Sequence, residues 1–312
     1  MDQLLQALKD SITVGSLYAL IALGYTMVYG ILKFINFAHS DIVVIGALFS
    51  AVAAGAIVRL LNLPAGEAPP WWVGLLVLVS AMALCAGVAF LVERLAYRPL
   101  RGAPRLNCLI TAIGVSLFLQ NTGNQQVLFG TDPHRIPDLI ANADPLFMIG
   151  QVKFRPLDGV IVGTAVGLMF VLNWLVFHSS AGRAMRAVSH DHRVASLMGI
   201  NVNRIISMTF VIGAALAAAG GFLYALRYTT LTQPADTPWA LLGLKAFVAA
   251  VVGGIGNIRG AVLGALIIAS VENFGAAYLD SGLTDVYVFA ILILVLLVRP
   301  GGLLGSAAIE KV

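Results

Sequence analysis

Long apolar runs alternate along this chain with short links in which the charges collect. The runs are Ser11–Leu32, Ser40–Leu60, Trp71–Ala96, Leu106–Phe129, Leu157–Phe177, Arg204–Leu226, Trp239–Ile255, Ile258–Leu279 and Asp285–Val298. A bilayer core of about 30 Å takes about 20 apolar residues per helix, so most of these runs are long enough to cross it. The pattern predicts an all-α fold, a polytopic membrane helix bundle of about nine transmembrane segments, some short or broken. An eight-segment variant follows if the short early segments supply one crossing fewer. The link Lys33–His39, KFINFAH, is too short and too polar for an ordinary loop and predicts a broken helix. The fourth run turns polar at Gln120, Asn121, Asn124, Gln125 and Gln126, which implies packing against protein or water instead of lipid.

The stretch Ser179–Arg204, SSAGRAMRAVSHDHRVASLMGINVNR, stands apart. It carries Arg183, Arg186, Arg193 and Arg204 between two nearly uncharged runs, so it belongs in water against a polar surface. After the Ser-Ser-Ala-Gly breaker, Ala184, Ala187 and Val188 fall at helical spacing, then Val194, Leu197 and Met198 repeat it, and Gly199 supplies a stop. Two short amphipathic helices beneath a membrane are expected; a solvated basic loop that only fixes topology is the alternative.

Composition agrees with the pattern: of 312 residues 59% are hydrophobic and 11% charged, and the mean hydropathy is +0.92. Charge then orients the bundle. With Ser179–Arg204 in the cytoplasm, nine crossings put twelve Lys and Arg on that side and six on the other, with Lys245 inside a span. The positive-inside rule favours this arrangement, with the N-terminus outside and the C-terminus inside. The net charge of +4 lies in links and implies no nucleic-acid partner. MDQLLQALKDSI has no basic n-region and no small-residue cleavage site follows, so the first segment is expected to be retained. Cys85 and Cys108 lie in or beside apolar runs and make neither a disulfide framework nor a metal site. The whole chain, 1–312, reads as one transmembrane domain, with an outer loop at 130–156 and a cytoplasmic loop at 179–204. Four spans, a linking fifth and four more permit an inverted repeat, with helix breaks at Lys33–His39 and Leu231–Pro238.

Candidate chemistry is sparse. In VVGGIGNIRGAVLGALI, Gly256, Gly260 and Gly264 recur every fourth residue, an expected helical face for close packing, while Gly253 and Gly254 permit a hinge. Lys245 and Glu272 are the costliest side chains in the apolar spans. At 1.5 Å per residue they lie about 7 and 10 Å in from the outer ends of their spans, so they could pair. Such a pair either fixes two helices or lines a substrate path. Asn36, His39 and Asp41 sit at the first break, where they either face a cavity or cap the second helix. His190 and His192 are two apart on a helix and do not converge on a metal. The sequence has no G-x-x-x-x-G-K-S/T loop, no H-E-x-x-H and no nucleophile elbow, so no catalytic site and no cofactor of its own are expected.

The stretches GSLYALIALGYTMVYGILKFINFAH, ERLAYRPLR, LITAIGVSLFLQN, GRAMRAVSHD, ASLMGIN, TFVIGAALAAAGG, KAFVAAVVGGIGNIRGAVLGALI and FAILILVLLVRPGGLLG, in this order from about residue 11 to the C-terminus, resemble the H-type permease subunit of branched-chain amino acid ABC importers, the LivH family. The resemblance implies a bacterial inner-membrane importer with a second, M-type permease, a periplasmic binding protein and two ATP-binding subunits that use ATP and Mg. It implies that Gly182, Arg183, Arg186, Ala195, Leu197 and Gly199 belong to a loop seated on the ATPase. Ala195 and Gly199 match the alanine and glycine of the general importer loop motif, while Arg193 and Val194 stand where its glutamate and second alanine are expected. Similar permeases carry urea, short amides and other small acids, and an ion-coupled secondary transporter or a structural scaffold are further readings of the spans alone.

Overall fold

The computed structural model describes residues 1–62, 69–130, 132–140, 145–231 and 237–305. Eleven α-helices lie among them: α1 (Asp2–Leu32), α2 (His39–Leu60), α3 (Trp71–Val92), α4 (Arg105–Gly123), α5 (Pro156–His178), α6 (Ser180–His190), α7 (His192–Leu197), α8 (Val202–Arg227), α9 (Thr237–Gly253), α10 (Ile258–Tyr278) and α11 (Thr284–Val298). α3 runs on through a π turn, Glu93–Tyr97, and a 3-10 turn, Arg98–Leu100. Eight helical segments are long and apolar enough to cross a membrane, and α9, with 17 residues, is the short ninth. The fourth run therefore ends at Gly123 instead of Phe129, and the first begins nine residues earlier than the apolar pattern alone indicates. Parts of the expected turn after α2, of the outer loop, of the break at Leu231–Pro238 and of the C-terminal tail lie outside the described residues.

α1 is the hub. Nearly all of its apolar stretch is buried inside the bundle, and it packs on α10, α8, α9, α5 and α6. Ser11, Thr13 and Ser16 donate within the helix to the carbonyls of Ala7, Lys9 and Ile12, whereas the buried Thr26 hydroxyl makes no hydrogen bond. α8 is the other buried helix, and it packs on α2 and α3 as well as on α1. Each central helix thus leans on helices from the other half of the chain. Where α1 and α8 cross, Gly213 faces Gly24, and a methyl group on Gly24 would strike both the Gly213 carbonyl and the His39 ring.

Two small sheets lie beyond the spans. β1 (His134–Arg135) pairs antiparallel with β4 (Thr230–Leu231), and β2 (Phe147–Ile149) with β3 (Val152–Phe154), where Phe147 stacks on Phe154 with ring centroids 4.6 Å apart. The β2–β3 hairpin is tied to the first turns of α1: the Gln151 N–H donates to Asp2 at 3.3 Å and the Lys9 ammonium to the Lys153 carbonyl at 3.2 Å.

Candidate functional site

The amphipathic stretch forms two helices, each with its own cap. The Ser179 hydroxyl accepts from the Gly182 N–H at 2.9 Å to start α6, and the Asp191 carboxylate accepts from Val194 at 3.0 Å and Arg193 at 2.7 Å to start α7. These two backbone donors hold the Asp191 carboxyl below its usual range. α7 ends in a Schellman motif, with Gly199 N–H donating to Ser196, Ile200 N–H donating to Ala195, and Gly199 at φ 81. That conformation favours glycine.

Helical spacing left open which faces this chain covers, and the packing fixes them. In α6 the inward positions are Gly182, Met185 and Val188, while Ala187 is exposed; in α7 only Ala195 is buried. Val194, Leu197 and Met198 are 56%, 86% and 77% exposed, so α7 turns its large apolar side chains away from this chain. Alternation of arginine and apolar residues gives the period of such a helix but not which face its own protein covers.

Gly182 and Arg186 serve as braces to α5. Gly182 lies against the carbonyls of Leu175 and Val176, where any side chain would collide, and the Arg186 guanidinium donates to the Val176 carbonyl and stacks over Phe177 at 5.5 Å. Arg183 is exposed. The His192 Nε2 donates to the Ile31 carbonyl at 3.0 Å, the last turn of α1. The two short helices are thereby joined to the ends of both α5 and the hub.

At the break, Lys33 closes α1 in a left-handed conformation, φ 57, with its N–H on Tyr29. The chain then folds back along α1, because His39, the first residue of α2, donates from Nε2 to the Ile21 carbonyl at 3.3 Å. Ile21 precedes the end of α1 by eleven residues, about 16 Å at helical rise. α2 therefore begins deep inside the bundle. Neither His39 nor Asp41 caps it: the N-cap, Ala38, has no side-chain bond. Instead Asn36 accepts from the Tyr97 hydroxyl at 2.6 Å, and Asp41 Oδ1 accepts from Gln120 of α4 at 2.9 Å. Tyr97 comes from the π turn, whose Glu93 is fully buried and accepts from Arg101 and from Ser207 of α8. Sequence reading did not assign Glu93 or Tyr97; the signal available was a lone carboxylate closing a long uncharged run.

Lys245 and Glu272 meet at 2.7 Å. Two further partners complete the cluster: Asp285 of α11 lies 2.7 Å from the Lys245 ammonium, and the Tyr18 hydroxyl of α1 donates to Glu272 at 2.7 Å. One cation, two carboxylates and the Tyr18 hydroxyl join four helices. The glycine face is shorter than expected, because Gly256, at φ 94, lies in the turn before α10. Gly260 and Gly264 pack against the Gly253 and Ala249 carbonyls of α9, and Gly254, at φ 110, makes the bend.

A polytopic helical bundle with a broken intramembrane helix and a braced pair of amphipathic helices beyond its spans defines a class, the membrane transport permeases. Residues 7–297 match the family model described as branched-chain amino acid transport system / permease component. The chain belongs to that family. It is 42% identical to the high-affinity branched-chain amino acid transport system permease protein BraD of Pseudomonas aeruginosa, across 99% of this chain and 98% of the relative. It is 40% identical to the corresponding permease protein LivH of Escherichia coli, across 99% and 97%. A probable LivH permease of Methanocaldococcus jannaschii is 25% identical across 96% and 91%.

Proposed function

We propose that this chain is the non-catalytic, H-type permease half of an ATP-driven importer that carries branched-chain, hydrophobic amino acids across a bacterial inner membrane. Its partners are a second, M-type permease, two ATP-binding subunits that hydrolyse ATP with Mg, and a periplasmic protein that delivers substrate. The C-terminus and α6–α7 face the cytoplasm, and the N-terminus faces outward, as the distribution of Lys and Arg favours.

The observation that carries this reading is the outward apolar face of α7. Three large apolar side chains on a short polar link are costly in water and suit a groove in another protein. Behind that face, Ala195 is buried and His192 and Arg186 reach the ends of α1 and α5, so a push on α7 is delivered to the hub. Closure of the two ATPases on each other would drag α6–α7 and bias the spans between outward-open and inward-open states. The substrate class rests on the relatives of near-full-length similarity.

Reconstitution with the partner subunits and binding protein tests the proposal. Leucine uptake into vesicles should require ATP and survive an uncoupler; uptake that an uncoupler abolishes while ATP is intact would place the chain with ion-coupled transporters.

A further inference from the structure

Asp41 is 5% exposed, in the first turn of a helix that starts deep in the bundle, and among the described residues no cation pairs with it. Its Oδ1 accepts from the Gln120 amide, and the Ser116 hydroxyl and its own N–H stand beside the carboxylate, while the buried Oδ2 makes no hydrogen bond. A carboxylate oxygen without a donor inside a membrane protein costs several kcal/mol, roughly, and is retained where a ligand or proton completes it.

A second group facing the same need lies on α4. Ser116, Gln120 and Asn124 repeat every fourth residue, so they form one polar row along a helix whose other positions are largely apolar. Gln120 bridges Asp41 and Ser116, at 2.9 and 3.2 Å, while Asn124 Oδ1, one turn further, is also buried without a donor. Both orphan atoms are acceptors. Among the described residues α4 packs chiefly on α2 and the π turn, and Ile110, Ile113, Leu117 and Phe118 on it are exposed, so the row lies at the edge of this chain's bundle.

We propose that Asp41, with Gln120 and Asn124, is the intramembrane station that receives the ammonium group of an amino acid on its way through the permease. An ammonium brings three N–H donors and one positive charge, which the free carboxylate oxygen and the free amide oxygen complement. This inference rests on the importer reading above and adds to it which group of the substrate is held and by which side chains. An uncharged amide or urea would leave the carboxylate without its counter-charge.

Leucine uptake by vesicles holding the complete transporter tests it. The unaltered complex should import leucine with ATP; if it does not, the importer reading itself falls. Against that reference, Asp41→Asn should lower uptake at least about tenfold, and Asp41→Glu should restore part of it. Native uptake by Asp41→Asn would overturn the station, and would mean that a water or a proton completes the carboxyl. Should Asp41→Asn fail to assemble, photolabelling of the unaltered complex decides. A photoreactive leucine should label α2 and α4, with labelling displaced by leucine and not by isocaproate, which is leucine without its amino group. Equal displacement by isocaproate would overturn the assignment.

Discussion

At the scale of residues, the Lys245 cluster is a balance that one substitution upsets. Lys245 is 9% exposed and lies between Glu272 and Asp285, so removing its charge leaves two carboxylates facing each other. Lys245→Met should destabilise the purified protein by on the order of 3 kcal/mol, the low end for a broken buried pair because Asp285 is partly open to solvent. Glu272→Gln alone should also destabilise. The double change should recover part of the loss in thermal unfolding, and simple additivity of the two would show that the pair is not coupled. The cluster also shows how far sequence reaches: Lys245 and Glu272 stand out as charges in apolar runs, whereas Asp285 at a helix start and Tyr18 within the hub look ordinary until the helices are packed.

Asp191 gives a pH dependence at the same scale. Its carboxyl is held low by the two N–H donors of α7, so the cap is fully formed above the ordinary carboxylate range and is lost as pH falls through the depressed folded value. Hydrogen exchange at the amides of Arg193 and Val194 should therefore show protection that fades only in acid. Asp191→Asn should keep much of the protection at neutral pH and remove its acid dependence. An unchanged acid profile in that variant would assign the dependence to another group.

At the scale of elements, α7 is a short helix whose apolar side faces away from its own protein. Leu197→Glu should leave the thermal stability of the isolated permease within about 0.5 kcal/mol, as for an exposed position, while releasing the ATP-binding subunits. Gly199→Val should act differently. Gly199 has open space around it but a left-handed backbone, so the cost is conformational, about 1–3 kcal/mol, and falls on the α7 stop. A loss of protection in α7 with the spans unaffected, read by hydrogen exchange, is the expected outcome; an unaltered α7 would mean that the turn tolerates a side chain.

The elements also mark where the sequence could be read and where it could not. Apolar runs bounded by charges placed the eight helices long enough to cross a bilayer and the shorter apolar α9, because a bilayer demands such runs. The depth at which α2 begins was not legible: KFINFAH announces a break, but only the packing of His39 on Gly24 and Ile21 fixes how far the chain folds back. The inward face of α6 was not legible either: Ala184, Ala187 and Val188 give its period, and the tight approach of Gly182 to α5 selects the face of Gly182, Met185 and Val188. Within an apolar span no face is marked by polarity, so partners such as Gln120 for Asp41 emerge only in three dimensions.

At the scale of the whole molecule, α1 and α8 form a buried core on which each half of the chain leans, and α6–α7 is fastened to the end of α1. In the proposed importer, energy enters as a displacement of the loop helices, which the His192 contact joins to the end of α1. The central claim is that separate ATP-binding subunits supply it through α7. Mild-detergent copurification from native membranes, with mass spectrometry of the retained proteins, tests this most directly. The unaltered chain should retain a second permease and two ATP-binding subunits, and Leu197→Glu should retain the second permease alone. Equal retention of the ATP-binding subunits by both chains, or an unaltered chain recovered without partners under conditions that preserve other membrane complexes, would contradict the account.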